Sequence, residues 1–99
     1  MEPIAGIVYL NDVPPTLKAD KSKLLLKFYG HPDSVYLFCT PSVILDYIND
    51  PRNKPEMPYP SFKLKIGKNR ITILLKKPVY GHGTAIFKKN EFLALLKSA

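Results

Sequence analysis

An α+β fold is what this sequence predicts: a mainly antiparallel sheet of about six strands, with two helices on one face. Three observations predict it. Stretches of period-two alternation recur, most cleanly over residues 61–66 and 70–76. Two helix-start signals, at Thr40-Pro41-Ser42 and at Asn90, each follow a group of such stretches. Finally, the chain echoes itself. Leu24-Leu25-Leu26-Lys27-Phe28-Tyr29-Gly30-His31 is matched by Ile73-Leu74-Leu75-Lys76-Lys77-Pro78-Val79-Tyr80-Gly81-His82, and each copy leads into an apolar run ending in Phe, at Phe38 and Phe87. The expected order is β-β-β-α twice, a pseudo-duplicated unit with halves 1–50 and 61–99.

Taken in order, Ala5 to Leu10 is rich in β-branched and aromatic residues and reads as a strand. Asn11-Asp12-Val13-Pro14-Pro15 stops it, because proline cannot donate to a ladder. Lys23 to Tyr29 is the second strand, with Leu24, Leu26 and Phe28 on one face and Lys23, Leu25, Lys27 and Tyr29 on the other. Val35 to Cys39 is apolar on both sides and is expected at the centre of the sheet. Thr40 then caps a helix whose first position is Pro41, where the missing N–H costs nothing, and Val43, Ile44, Tyr47 and Ile48 share its apolar face.

Residues 50–60 contain four prolines and read as a stiff surface loop, partly polyproline II. Ser61 to Ile66 and Arg70 to Lys76 form a hairpin closed at Gly67-Lys68-Asn69. Its inward set is Phe62, Leu64, Ile66, Ile71, Ile73 and Leu75. Its outward set is Lys63, Lys65, Arg70, Thr72, Leu74 and Lys76. A turn over Tyr80-Gly81-His82-Gly83, a short strand over Thr84 to Phe87 and a helix capped by Asn90 complete the chain. That helix buries Phe92, Leu93, Leu95 and Leu96, with Glu91 and Lys97 placed to complement its dipole.

Ninety-nine residues make one domain, 1–99, since two separate cores of that size would be too small to stand. The net charge is +7, and Lys and Arg together number 15 against 8 acids. Such an excess favours polyanions or acidic protein surfaces as partners, although it also serves solubility. The single Cys39 excludes an internal disulfide and reads as a small buried hydrophobe, since no activating histidine stands close in sequence. No apolar run approaches the length of a membrane span, and Glu2 and Pro3 do not open a signal peptide, so a soluble intracellular protein is expected. Absent Gln and Trp, abundant Lys and 10 prolines are habits of thermostable proteins.

Catalysis finds little support, and no cofactor or metal is expected. His31 and His82 hold equivalent places in the repeat, so a histidine-centred metal or hydrolytic site is one reading of them; solvated turn histidines is the other. Carboxylates are too few and scattered for a paired acid/base site. The cations are more informative. Lys63, Lys65, Lys68, Arg70 and Lys76 in the second half, with Lys23 and Lys27 in the first, project from one side of neighbouring strands. In one continuous sheet they would merge into a groove for sequence-independent phosphate contacts, with Tyr29, Tyr36 or Phe38 as stacking faces. The competing reading is the ordinary polar side of a half-buried sheet. Leu25 and Leu74 interrupt that polar face at matching points, which suits a protein–protein surface or a homodimer.

The segments Arg70 to Lys77, Tyr80 to Gly83, Thr84 to Phe87 and Asn90 to Leu96 form a basic strand, a glycine turn, a short strand and an amphipathic helix. Residues 68–98 in this respect resemble the C-terminal part of PC4-like single-stranded-DNA-binding domains. The related Whirly and PUR domains are built from repeated strands-then-helix units. The resemblance implies single-stranded DNA as ligand. The present halves read as three strands each, where those domains use four, and Phe92 stands where the family often has Trp. The size and the Lys-, Ile-, Tyr- and Pro-rich style also resemble small uncharacterised proteins of crenarchaeal filamentous viruses. That likeness implies a viral protein in the host cytoplasm and brings no activity with it.

Overall fold

The computed structural model describes residues 3–7, 14–20, 23–28, 35–37, 40–50, 52–53, 56–58, 61–79 and 82–98. The elements run β1 (Ile4–Ala5), β2 (Thr16–Asp20), β3 (Lys23–Lys27), β4 (Val35–Leu37), α1 (Pro41–Asn49), β5 (Glu56–Pro58), β6 (Phe62–Ile66), β7 (Arg70–Val79), β8 (His82–Lys88) and α2 (Lys89–Lys97). The fold is α+β, as expected, but the single sheet of about six strands is replaced by two sheets. Each is antiparallel and four-stranded, in the orders β1-β2-β3-β4 and β5-β6-β7-β8. The first strand of each is a short edge, two residues in β1 and three in β5. The repeated unit is thus β-β-β-β-α rather than β-β-β-α.

Both additional strands were hidden by weak local signals. β2 is Thr-Leu-Lys-Ala-Asp, in which Lys, Ala and Asp are poor strand formers. It forms because Leu17 and Ala19 sit opposite Leu26 and Leu24 of β3, which carries the apolar pattern for both. β5 lies inside the Pro-rich loop; Pro58 is tolerated because the strand is at an edge and needs only one set of ladder partners, on β6. The third expected strand is also displaced. Among the described residues β4 pairs only with β3, so it stands at the edge of its sheet and not at the centre. Phe38, Cys39 and residues 8–13 lie outside the described residues.

The inner faces follow the alternation. Leu17, Leu24, Leu26 and Leu37 of one sheet, and Phe62, Leu64, Ile71, Ile73, Ala85 and Phe87 of the other, are buried in one core with Ile44 of α1 and Phe92, Leu95 and Leu96 of α2. α2 ties the assembly together: it packs on α1, on β1 and β2 of the first sheet, and on β7 and β8 of the second. Burying a side chain such as Phe92 stabilises by about 1.5–3 kcal/mol relative to leaving it in water.

Backbone contacts join the two sheets as well. The Ile7 N–H donates to the Ile86 carbonyl at 2.7 Å, just after Gly6 N–H donates to the Pro15 carbonyl at 2.7 Å. The chain leaving β1 therefore meets the edge of β8. A Cβ on Gly6 would lie 2.9 Å from Pro15 Cγ and 3.0 Å from the Ile86 oxygen, so this crossing admits only glycine without a shift.

The helix ends divide in how they were anticipated. α1 starts at the expected position, with Thr40 at the N-cap and Pro41 first in the helix, but the Thr40 side chain makes no capping bond; its carbonyl accepts from Val43 N–H at 3.0 Å. α2 begins at Lys89, one residue before the expected cap, so Asn90 lies within its first turn and Lys88 takes the cap position without a side-chain bond. The cap is tertiary: Lys89 N–H donates to the Asn69 carbonyl at 2.9 Å, which satisfies one of the orphan donors of the first turn. Glu91 and Lys97 occupy the first and last turns, as the dipole favours. Among the described residues no helix is long and apolar enough to cross a membrane.

Candidate functional site

The register of the second sheet builds its outer face row by row. Glu56, Lys65, Thr72 and Ile86 stand side by side across β5 to β8, and Pro58, Lys63, Leu74 and Thr84 form the neighbouring row. Arg70 lies opposite Lys88 at the end of the β7–β8 ladder. Because direct partners in an antiparallel pair share a face, Lys63, Lys65, Arg70 and Lys88 emerge on the side opposite the core. Lys65, Arg70 and Lys88 are exposed and Lys63 is half-buried. Lys88 was missed from the sequence because the last strand was ended at Phe87. Its signal was there, one further residue of alternation beyond Ile86.

The tip of this hairpin is fixed from two directions. Gly67 N–H donates to the Arg70 carbonyl at 2.9 Å. A Cβ on Gly67 would stand 3.0 Å from that same oxygen, so close backbone approach explains the glycine. From below, the Lys89 ammonium donates to the Gly67 carbonyl at 3.1 Å while its backbone N–H holds Asn69. Lys89 thus serves the turn and is not part of the outward cation set. Lys68 lies exposed at the tip, and Lys76 is exposed further along β7, where its N–H donates to the Ser61 carbonyl at 3.1 Å.

On the first sheet, Lys23, Leu25 and Lys27 alternate on the outer face of β3, opposite Asp20, Lys18 and Thr16 of β2. Lys27 and Lys18 are exposed and Lys23 is half-buried. The cations therefore fall on the outer faces of two sheets, and the expected single-sheet groove is replaced by two faces. Leu25 and Leu74 do hold matching places, each on the third strand of its sheet and facing outward, and both are half-buried.

Carboxylates are sparse on the second face. Glu56 is the one acid among the described residues of that sheet, and its Oε2 lies 3.7 Å from Lys63 Nζ. A concavity of about 330 Å³ opens beside it, lined by Glu56, Lys65, Ile66, Gly67, Arg70 and Thr72. A second ion pair stands where Asp50 ends α1. Arg52 Nε and Nη2 each reach its carboxylate at 3.1 Å, and the Arg52 backbone N–H does so at 3.0 Å. The guanidinium first, and the backbone N–H second, hold the Asp50 carboxyl below the usual carboxylate range.

The histidine reading gains no geometry. His31 and the side chain of His82 lie outside the described residues, and the backbone of His82 belongs to β8, paired with Val79, rather than to the expected turn. Among the described residues no group of three or more His, Cys, Asp or Glu side chains is placed to hold a metal. Tyr29, Phe38 and the side chain of Tyr36, named above as stacking faces, are likewise outside the described residues. No protein-family model, curated protein or solved structure matches this chain.

Proposed function

We propose that this protein is a small non-catalytic binding module that takes nucleic acid, single-stranded or duplex, on the basic outer face of its second sheet. The observation that carries the reading is the register placing Lys63, Lys65, Arg70 and Lys88 together over three adjacent strands, with Glu56 as the sole acid among the described residues of that sheet. Lys68 and Lys76 extend the cation set at its tip and along β7, whereas Lys23 and Lys27 stand on the outer face of the other sheet. Lysine acts as a point charge, so the contacts fall on phosphates and ignore sequence.

The test is a fluorescence-anisotropy titration of single-stranded and duplex oligonucleotides over a range of salt. Affinity should fall steeply with salt. On a single strand, Lys63→Ala/Lys65→Ala should reduce the logarithmic salt slope by about 0.7 for each phosphate that is no longer neutralised. Absence of binding at low salt, or binding indifferent to salt, would overturn the reading.

A second reading rests on Leu25 and Leu74. Two outward leucines at matching places on the third strands suit a protein partner or a second copy of the chain. Light scattering decides it: Leu74→Lys should convert a dimer to a monomer, and a wild-type monomer excludes the homodimer.

A further inference from the structure

The register of the second sheet also orders what stands between its cations. Leu74 and Thr84 are partners in one outward row, and Thr72 and Ile86 in the next, so these four side chains form a block over β7 and β8. Lys63 and Lys65 stand beside Leu74 and Thr72 on β6 and border the block along one side. Arg70 and Lys88 are partners in the row beyond Thr72 and Ile86 and border it at the hairpin end. The block itself carries no charge, and Leu74 and Ile86 are half-buried, each leaving part of an aliphatic side chain in water. Glu56 stands on β5, on the far side of Lys65 from the block, so its charge turns an anion toward the block rather than away from it.

A neutral block edged by cations on two adjoining sides suits a ligand with charge along one border and uncharged faces beside it. A single strand of nucleic acid has that form, with phosphates along one edge and unpaired bases that splay from it. A duplex does not. Its base faces are stacked inside, and four strands about 4.8 Å apart make this face wider than the B-form major groove of about 12 Å. Duplex therefore meets the cations through its phosphates and leaves the block in water.

We propose that Leu74, Thr72, Ile86 and Thr84 form a platform for unpaired bases, with the phosphates of the same strand following the bend from Lys63 and Lys65 to Arg70 and Lys88, so that the face selects single strands over duplex. This rests on the nucleic-acid reading and adds to it the residues that tell the two forms apart. Contact with Leu74 and Ile86 supplies the discrimination, since it removes aliphatic surface and base faces from water together. It is blind to base identity, because every base has such a face.

Anisotropy titrations of a labelled single strand and of its duplex, over a range of salt, test this on the wild type and on Leu74→Thr/Ile86→Thr. Threonine keeps a β-branched residue in the ladder while removing aliphatic surface. Near physiological salt the wild type should bind the single strand about tenfold more tightly than the duplex. The double variant should lose about tenfold on the single strand and keep its logarithmic salt slope, because no phosphate contact is altered. Its duplex binding should be unchanged, which also shows that it is folded. Equal wild-type affinities for the two forms, or a preference that survives in the double variant, would overturn this inference and leave the nucleic-acid reading standing. So would a wild-type dimer that the double variant dissolves, since a second copy would then cover the block. Failure of both forms to bind at low salt would remove both readings.

Discussion

The two β-β-β-β-α units share an element order but differ in how their helices are used. α2 buries Phe92, Leu95 and Leu96 and touches both sheets. α1, of the same length, buries only Pro41 and Ile44 and leaves Val43 about half exposed. The difference teaches that an internal repeat does not imply equal structural weight. One helix became the element that both sheets pack against, and the other remained a flank secured at its C-terminal end by side-chain bonds. There, Tyr47 hydroxyl donates to the Glu56 carbonyl at 2.8 Å and Asn53 Nδ2 to the Tyr47 carbonyl at 3.1 Å.

That contrast is easiest to break with Phe92→Ala. Removing a fully buried ring from the shared helix should cost about 3–5 kcal/mol in a denaturant titration. Val43→Ala, on the exposed side of α1, should change stability by less than about 0.5 kcal/mol. Similar losses for the two variants would mean the helices carry equal weight after all.

Next in size is Gly6→Val, which forces a side chain into the crossing between the sheets. Overpacking there should cost about 1–3 kcal/mol, read as a lowered denaturation midpoint, and a neutral result would show that the Ile7–Ile86 junction can move apart freely. Lys89→Met keeps the aliphatic stem and removes the ammonium beneath the hairpin tip. A loss of about 0.5–1.5 kcal/mol is expected, with faster amide exchange at Gly67, whose partner strand end is no longer steadied. Unchanged exchange at Gly67 would leave Lys89 without a role in the turn.

The smallest effect belongs to the flank. The Asp50 carboxyl is held low by Arg52, so its folded value lies below its unfolded value of about 4. The stability it contributes is present above that unfolded value and is lost as pH falls through the lowered one. Wild type and Asp50→Asn should therefore differ slightly in thermal midpoint near neutrality and converge in strong acid. A gap that widens on acidification would contradict the assignment.

Legibility in the sequence followed the strength of local patterning. The 61–76 hairpin was readable because Phe62, Leu64, Ile71 and Ile73 alternate with polar residues and Gly67 marks the reversal. Its outward lysines were placed on the right face for the same reason. β2 and β5 were not readable because their stability is borrowed: Leu17 needs Leu26 beside it, and Glu56–Pro58 is a strand only because β6 offers a ladder. The start of α2 lies two residues before the expected one, with Lys88 and not Asn90 at the cap, because the Lys89 N–H is met by the Asn69 carbonyl, far back along the chain and beyond any local signal. Division into two sheets, and with it the loss of one continuous groove, is a tertiary fact that alternation alone does not encode.

The hydrogen bond from Ile7 to Ile86 ties positions near opposite ends of the sequence. A nascent chain emerging from a ribosome can pair β1 with β2 early, yet this tie waits until residue 86 has left the exit tunnel. Long-range closure of that kind slows folding, because the intervening loop must be ordered first. The first unit would spend translation with its Gly6 crossing unoccupied by β8, making that interval the one in which a chaperone has most to protect.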